Sequence, residues 1–171
     1  ELDERALALG EIAIAHASGV MEDGTPFSIT EDDAPPRALA IPENAKNAQV
    51  VLALPIRRRE MEEVDHEDNP NALARWCGGE YSVRDSNVGY SDNPVPMAVA
   101  KLRFRLALET EASGGYAKLG VARVVERRPD NSLLLDENYV PPCMAYTASC
   151  RLESFVRELA ALLRQRGDVL S

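Results

Sequence analysis

Lys101-Leu102-Arg103-Phe104-Arg105-Leu106-Ala107-Leu108 decides the fold class. Leu102, Phe104, Leu106 and Leu108 alternate with Lys101, Arg103, Arg105 and Ala107. Side chains of an extended chain point to opposite faces in turn, so a period of two marks a strand with one buried face. The spacing predicts a strand within Val95–Leu108, apolar on one face and largely basic on the other.

Downstream, Ser113-Gly114-Gly115 breaks the pattern and Tyr116–Arg127 reads as a further strand. Pro129-Asp130-Asn131 turns the chain, and Ser132–Leu135 returns to make a hairpin. Upstream, Val88–Pro94 has the composition of a loop, and Trp76–Asp85 reads as a strand with Gly78-Gly79 at its entry. Arg57–Asn71 reads as an exposed loop, and its acidic run Glu60–Asp68 as solvated. Val50-Val51-Leu52-Ala53-Leu54-Pro55-Ile56 is continuously apolar and reads as a buried strand closed by Pro55. Asn44–Asn47 is a polar connection, Ala38–Ile41 a short extended piece and Ala34-Pro35-Pro36 a loop. Asp23-Gly24, flanked by Val20-Met21 and Pro26-Phe27, signals a hairpin whose glycine takes a positive φ. Leu7, Leu9, Ile12 and Ile14 read as a first strand with a bulge near Gly10. Many short strands with Gly/Pro turns indicate a mainly β fold, a sandwich or barrel.

After Pro141-Pro142 the period changes. Leu152, Phe155, Val156, Leu159, Leu162 and Leu163 recur at helical spacing, so a helix is predicted from Ser149 to about Gly167, capped by Ser149 or Thr147. Its apolar stripe has two readings. It covers the β core, or it is a short heptad seam for self-association.

Composition narrows the function. The chain has 171 residues, 45% of them apolar, enough for one core, but only 5% aromatic, so Ala, Val, Leu and Ile must fill it. A formal charge of -9 repels phosphate backbones and anionic lipid, which excludes nucleic acid and membrane insertion as expected partners. No stretch has the apolar length of a membrane span. Cys77, Cys143 and Cys150 are odd in number and lack metal spacing, and they read as reduced, partly buried thiols in a reducing cytoplasm. The chain begins at Glu1 without Met and is read as a fragment.

No set of residues assembles a reaction. His16 and His66 are the only histidines, and His66 among Asp65, Glu67 and Asp68 lacks a preformed metal geometry. No G-x-S-x-G elbow accompanies the serines, and Cys77 or Cys143 with a distant His carries no pattern. Glu22-Asp23 and Asp136-Glu137 could do acid–base work only if gathered in a cleft, whereas Asp at turns usually binds local backbone donors. Gly78-Gly79 and Gly114-Gly115 open no phosphate cradle. No catalytic residue, metal or cofactor is expected.

Several segments, in order, resemble one family. Gly19-Val20-Met21-Glu22-Asp23-Gly24-Thr25-Pro26-Phe27 is similar to the G-x-x-P-D-G-T-P-F segment of the TssK (ImpJ or VasE) family of type VI secretion baseplate proteins, with Glu22 where Pro is common. Leu7-Ala8-Leu9-Gly10 resembles the family's preceding strand, and Val51–Pro55 its apolar strand with a closing Pro. Arg123-Val124-Val125-Glu126 and Leu133-Leu134-Leu135 continue the likeness. Leu135-Asp136-Glu137-Asn138-Tyr139-Val140-Pro141-Pro142 resembles the signature L-D-x-x-[FY]-[IV]-P-P, and Leu152–Arg166 the helix after it.

The resemblance implies a β-sandwich like the shoulder domain of phage receptor-binding proteins over 1–146, followed at 147–171 by the start of a helical middle region. It implies a structural adaptor that docks to a wedge of TssF and TssG and forms a homotrimer. The membrane complex would be met only through a C-terminal domain outside this chain. The implied location is the cytoplasmic side of the inner membrane. Gly19, Asp23, Gly24, Pro26, Phe27, Pro55, Asp136, Pro141 and Pro142 are expected to shape the domain rather than to contact partners. A rival reading is a small-ligand or carbohydrate-binding β domain of a phage-tail-like protein, using Glu22, Asp23 or Asp136.

Overall fold

The computed structural model describes all residues except 31–34, 59–62, 67–68, 70–71, 84–93, 113 and 171. In chain order its elements are α1 (Glu4–Ala8), β1 (Glu11–Ile12), β2 (Ala17–Val20), β3 (Pro26–Ile29), β4 (Leu39–Ala40), β5 (Lys46–Pro55) and β6 (Val64–Asp65). Then follow β7 (Trp76–Val83), β8 (Val95–Leu102), β9 (Arg105–Leu108), β10 (Tyr116–Arg127), β11 (Leu133–Leu135), a 3-10 turn at Tyr146–Ala148 and α2 (Cys150–Leu170). The fold is mainly β with a C-terminal helix, as expected.

β5 is the organising strand. It lies between β10 and β9 in an antiparallel sheet of order β11-β10-β5-β9. Val50 through Pro55 are all buried, which explains an apolar run without alternation. Val50, Leu52 and Leu54 face the main core with Leu106, Val124 and Leu133. Across that core lie Ile12, Ile14, Met21, Ile29 and Ile41, from the β1–β4 and β2–β3 pairs and their connections. Two layers thus close on an aliphatic interior, the arrangement of a sandwich. Val51 and Ala53, on the other face of β5, pack with Ala107 and Ala112 in a smaller cluster.

Two hairpin loops share one construction. Met21 N–H donates to the Thr25 carbonyl and Gly24 N–H to the Met21 carbonyl, each at 2.9 Å. Arg128 and Asn131 repeat this with Ser132 and Arg128 at 2.8 and 2.9 Å. The third loop residue must take a left-handed φ, met by Gly24 at 83° and Asn131 at 71°. In both loops the preceding aspartate, Asp23 or Asp130, accepts the amide two residues on, at 3.1 and 3.0 Å.

Other expectations need correction. The first strand expected over Leu7–Ile14, and the family-like strand Leu7-Ala8-Leu9-Gly10 with it, is a helical turn followed by a two-residue strand. Asp3 caps that turn, accepting the amides of Arg5 at 2.8 Å and Ala6 at 3.4 Å. Gly10, at φ 82°, then turns the chain into β1.

The strand expected within 95–108 is two strands in two sheets. β8 pairs with β7, while β9 pairs with β5, and Arg103-Phe104 carries the chain across. Gly78-Gly79 lies inside β7 rather than at its entry. The polar 57–71 segment contains β6, which pairs parallel with β7. β5 starts at Lys46, inside the expected connection. The helix runs through Gly167 to Leu170. The loop expected over 88–93, and residues 60–62, 67 and 68 of the acidic run, lie outside the described residues.

Candidate functional site

The hairpin motif is tied to the sheet by a residue absent from every motif. Arg75 sits just before β7 and is 7% exposed. Its guanidinium donates to the Pro55 carbonyl at 2.7 Å, to the Thr25 hydroxyl, and to the Asp23 carboxylate at 2.8 Å. Asp23, Thr25 and Pro55, noted separately in the sequence, therefore converge on one buried cation. Phe27 reaches the same region from β3, its ring 5.2 Å from that of Phe104. Gly19, opposite Phe27 in the hairpin, leaves room for that ring.

Burial alone would raise the Asp23 pKa, but the bonds from Thr25 and Arg75 outweigh it and hold the carboxyl below its ordinary value. A depressed folded pKa contributes stability above the unfolded value near 3.8, lost as pH falls through the folded value. Asp23→Asn is expected to be less stable than the native chain at about pH 6, with the gap closing below about pH 4. Urea unfolding at both pH values measures this. A gap independent of pH would contradict it.

Arg103 forms a second tie. It pairs with Asp65 and donates to the Asn69 carbonyl, holding the β6 region over β7. Both side chains are nearly buried, so this part of the acidic run is not a solvated loop, and Arg103 does not belong to an open basic face. Arg105 is likewise covered, its guanidinium 4.1 Å from the Tyr116 ring centroid. Arg127 donates to the Ile41 carbonyl at 2.8 Å and to Asn131 at 2.9 Å, joining β10 to the β4 region.

The second motif packs through Tyr139. Asp136 accepts the Asn138 amide at 2.9 Å and lies 3.8 Å from Arg123. That turn lays Tyr139 on β10, with Arg123 5.4 Å from its ring centroid. Burial pushes the Tyr139 phenol above its ordinary pKa, although Arg123 opposes the shift. Gly120 makes the contact possible, because a Cβ there would stand 2.1 Å from the Tyr139 hydroxyl oxygen and 3.2 Å from Gln49 Nε2. Gly120→Ala is expected to cost about 1–3 kcal/mol. Adding Tyr139→Phe should restore much of it, since the next ring atom would stand 3.4 Å away. A double-mutant cycle by thermal unfolding checks this; no recovery would contradict it.

The candidate acid pairs stay apart. Asp23 belongs to the β2–β3 loop and Asp136 to the turn after β11, and each is engaged locally. Among the described residues no group of His, Cys, Asp and Glu could hold a metal ion. His66 lies over Gly78 of β7, and His16 directly precedes β2. The cysteines are free, but Cys143 and Cys150 are exposed rather than partly buried. No described helix is long and apolar enough to cross a membrane.

What remains open is apolar surface. α2 does not cover the core. Phe155, Leu159, Leu162 and Leu163 are 61%, 45%, 52% and 64% exposed, and Leu152 and Val156 are half-buried near its start. Ser149 directly precedes α2, with the Leu152 amide 3.5 Å from its hydroxyl, and Arg151 reaches the Glu137 carbonyl. The β7–β8 ribbon is the second such surface. Cross-strand pairing puts Tyr81, Val83, Val95 and Met97 on one face, with Tyr81, Val95 and Met97 more than half exposed. The sequence offered a signal for the helix but none for the ribbon.

Residues 1–171 match the family described as bacterial type VI secretion proteins EvfL, ImpJ and VasE. The chain belongs to this family. It is 40% identical, over all 171 residues, to the type VI secretion system baseplate component TssK1 of Pseudomonas aeruginosa, and spans 38% of that relative's length. A crystal structure of TssK superposes with a TM-score of 0.90 at 40% identity, covering 98% of this chain and 38% of that one. The fold also matches a chain of a TssK-TssF-TssG baseplate subcomplex solved by cryo-electron microscopy. There the TM-score is 0.83 at 21% identity, covering 99% of this chain and 56% of the other.

Proposed function

We propose that the chain is a non-enzymatic docking domain of a type VI secretion baseplate adaptor. The observation that carries this is the uncovered apolar surface of α2 and of the β7–β8 ribbon, on a domain whose buried Arg75 and nearly buried Arg103 are spent on holding its own loops. The family supports the reading, since its relative TssK1 is a baseplate component and one structural counterpart comes from a complex with TssF and TssG. In this reading residues 1–146 form the shoulder-like β-sandwich that meets a TssF–TssG wedge. Residues 147–171 begin a helical middle region whose stripe gathers copies into a trimer. The membrane complex is reached through parts of the protein outside 1–171, and the adaptor works on the cytoplasmic side of the inner membrane.

Co-purification with a TssF–TssG subcomplex from the same secretion system tests the wedge assignment. Retention of the folded chain supports it, and loss of the chain through every wash counts against it. The ligand-binding alternative loses its carboxylate basis, because Asp23 and Asp136 are engaged in separate turns.

A further inference from the structure

We propose that a cavity at the crossover between the β7–β8 ribbon and the main sheet binds a small organic monocarboxylate, with Arg105 pairing its carboxylate. The site uses none of the exposed apolar residues of α2 or the ribbon.

Where the chain passes between sheets at Arg103-Phe104, a cavity of about 330 Å³ opens against β3, the end of β5 and the start of β10. Small-molecule sites join an apolar wall to a few convergent polar groups. Here Ile29, Leu102 and Phe104 supply apolar wall, and Arg37, Arg103 and Arg105 supply positive charge. No Asp or Glu stands among the described lining residues, although the chain as a whole carries a formal charge of -9.

The cations are not equivalent. Arg103 is already paired with Asp65. Arg37 is exposed, so solvent screens it. Arg105 is half-buried, and its Nε is buried without a hydrogen-bond partner. Its guanidinium lies over Tyr116, 4.1 Å from the ring centroid. Stacking occupies a face of that planar group and leaves its in-plane donors for an acceptor. Among the described residues no acceptor meets them.

A partly desolvated cation without a counter-charge gains most from an anion that fits its fork. A carboxylate fits, taking two parallel hydrogen bonds from one guanidinium. One uncommitted charge balances a monoanion. A phosphate would bring a second charge to be desolvated beside Leu102 and Phe104. Those apolar groups instead suit the stem of an organic acid.

The test titrates the 171-residue chain with 3-phenylpropionate, 3-phenylpropanamide and inorganic phosphate by isothermal calorimetry. The acid is expected to bind with a dissociation constant of about 1 mM or tighter. The amide keeps the shape without the charge, and it and phosphate are expected to bind about tenfold more weakly or worse. Cys77 lines the same cavity, so saturating acid should slow its alkylation by iodoacetamide severalfold in a chain carrying Cys143→Ser and Cys150→Ser. Arg105→Gln is expected to lower affinity for the acid about tenfold while circular dichroism stays native, and Arg105→Lys, a charge without the fork, to fall between. Equal binding of acid and amide overturns the carboxylate assignment, and so does phosphate that binds as tightly as the acid. That comparison needs no substitution, so it decides even where Arg105→Gln does not fold. No heat and no protection of Cys77 at about 20 mM acid, or unchanged binding in a natively folded Arg105→Gln, overturns the site itself.

Discussion

Arg75→Met is expected to lower the unfolding temperature of the domain by about 10 °C. Arg75 is buried, and its guanidinium serves the Pro55 carbonyl, the Thr25 hydroxyl and the Asp23 carboxylate together. Methionine keeps much of the volume but leaves those acceptors without their donor. Removing one partner of a buried pair costs about 3–5 kcal/mol. Asp23 retains 29% of its side-chain exposure, which favours the low end. For a chain of this size each kcal/mol moves the midpoint by about 2–4 °C. Arg57→Met is the control. Arg57 pairs with Glu63 at 2.7 Å, but at 73% and 42% exposure, where solvent screens the pair and its loss should move the midpoint little. Equal midpoint shifts for the two variants would show that burial of Arg75 does not set its importance.

Leu159→Asp is expected to abolish self-association without moving that midpoint. Leu159 lies in the middle of the α2 stripe, between Phe155 on one turn and Leu162-Leu163 on the next. Covering such a leucine is worth about 2 kcal/mol per copy, and a carboxylate there must also be desolvated. The loss recurs in every copy, so a trimer loses several orders of magnitude in its association constant. The β core is untouched, because Leu159 remains 45% exposed on a helix that lies away from it. Glu158→Ala, on the polar face, should leave association within about threefold, as expected for an exposed charge. Sedimentation velocity across a concentration series reads both variants. Unchanged association of Leu159→Asp would remove the seam.

Legibility of the sequence followed the range of each interaction. Both hairpin loops were readable because their determinants, Asp23-Gly24 and Asp130-Asn131, act within five residues. β5 was readable because burial on both faces leaves a continuous apolar run. α2 was readable from its stripe, but whether the stripe faced the core or a neighbour depended on where the helix goes. α1 was missed because five residues show too little period; its real signals were Asp3 as cap and Gly10 as stop. The crossover at Arg103-Phe104 was missed because the alternation runs through it unbroken while the chain changes sheets. Arg75 was invisible because its partners lie 20 and 50 residues away in the chain. The same holds for Arg103 and Asp65, 38 residues apart, so a run read as solvent-facing carried half of a nearly buried pair.

Titration of the 171-residue chain against a purified TssF–TssG subcomplex from its own secretion system tests the central claim most directly. A docking domain should bind saturably, with a dissociation constant in the micromolar range or tighter, and with no turnover of added nucleotide or sugar. A folded chain that gives no binding signal at tens of micromolar would contradict it.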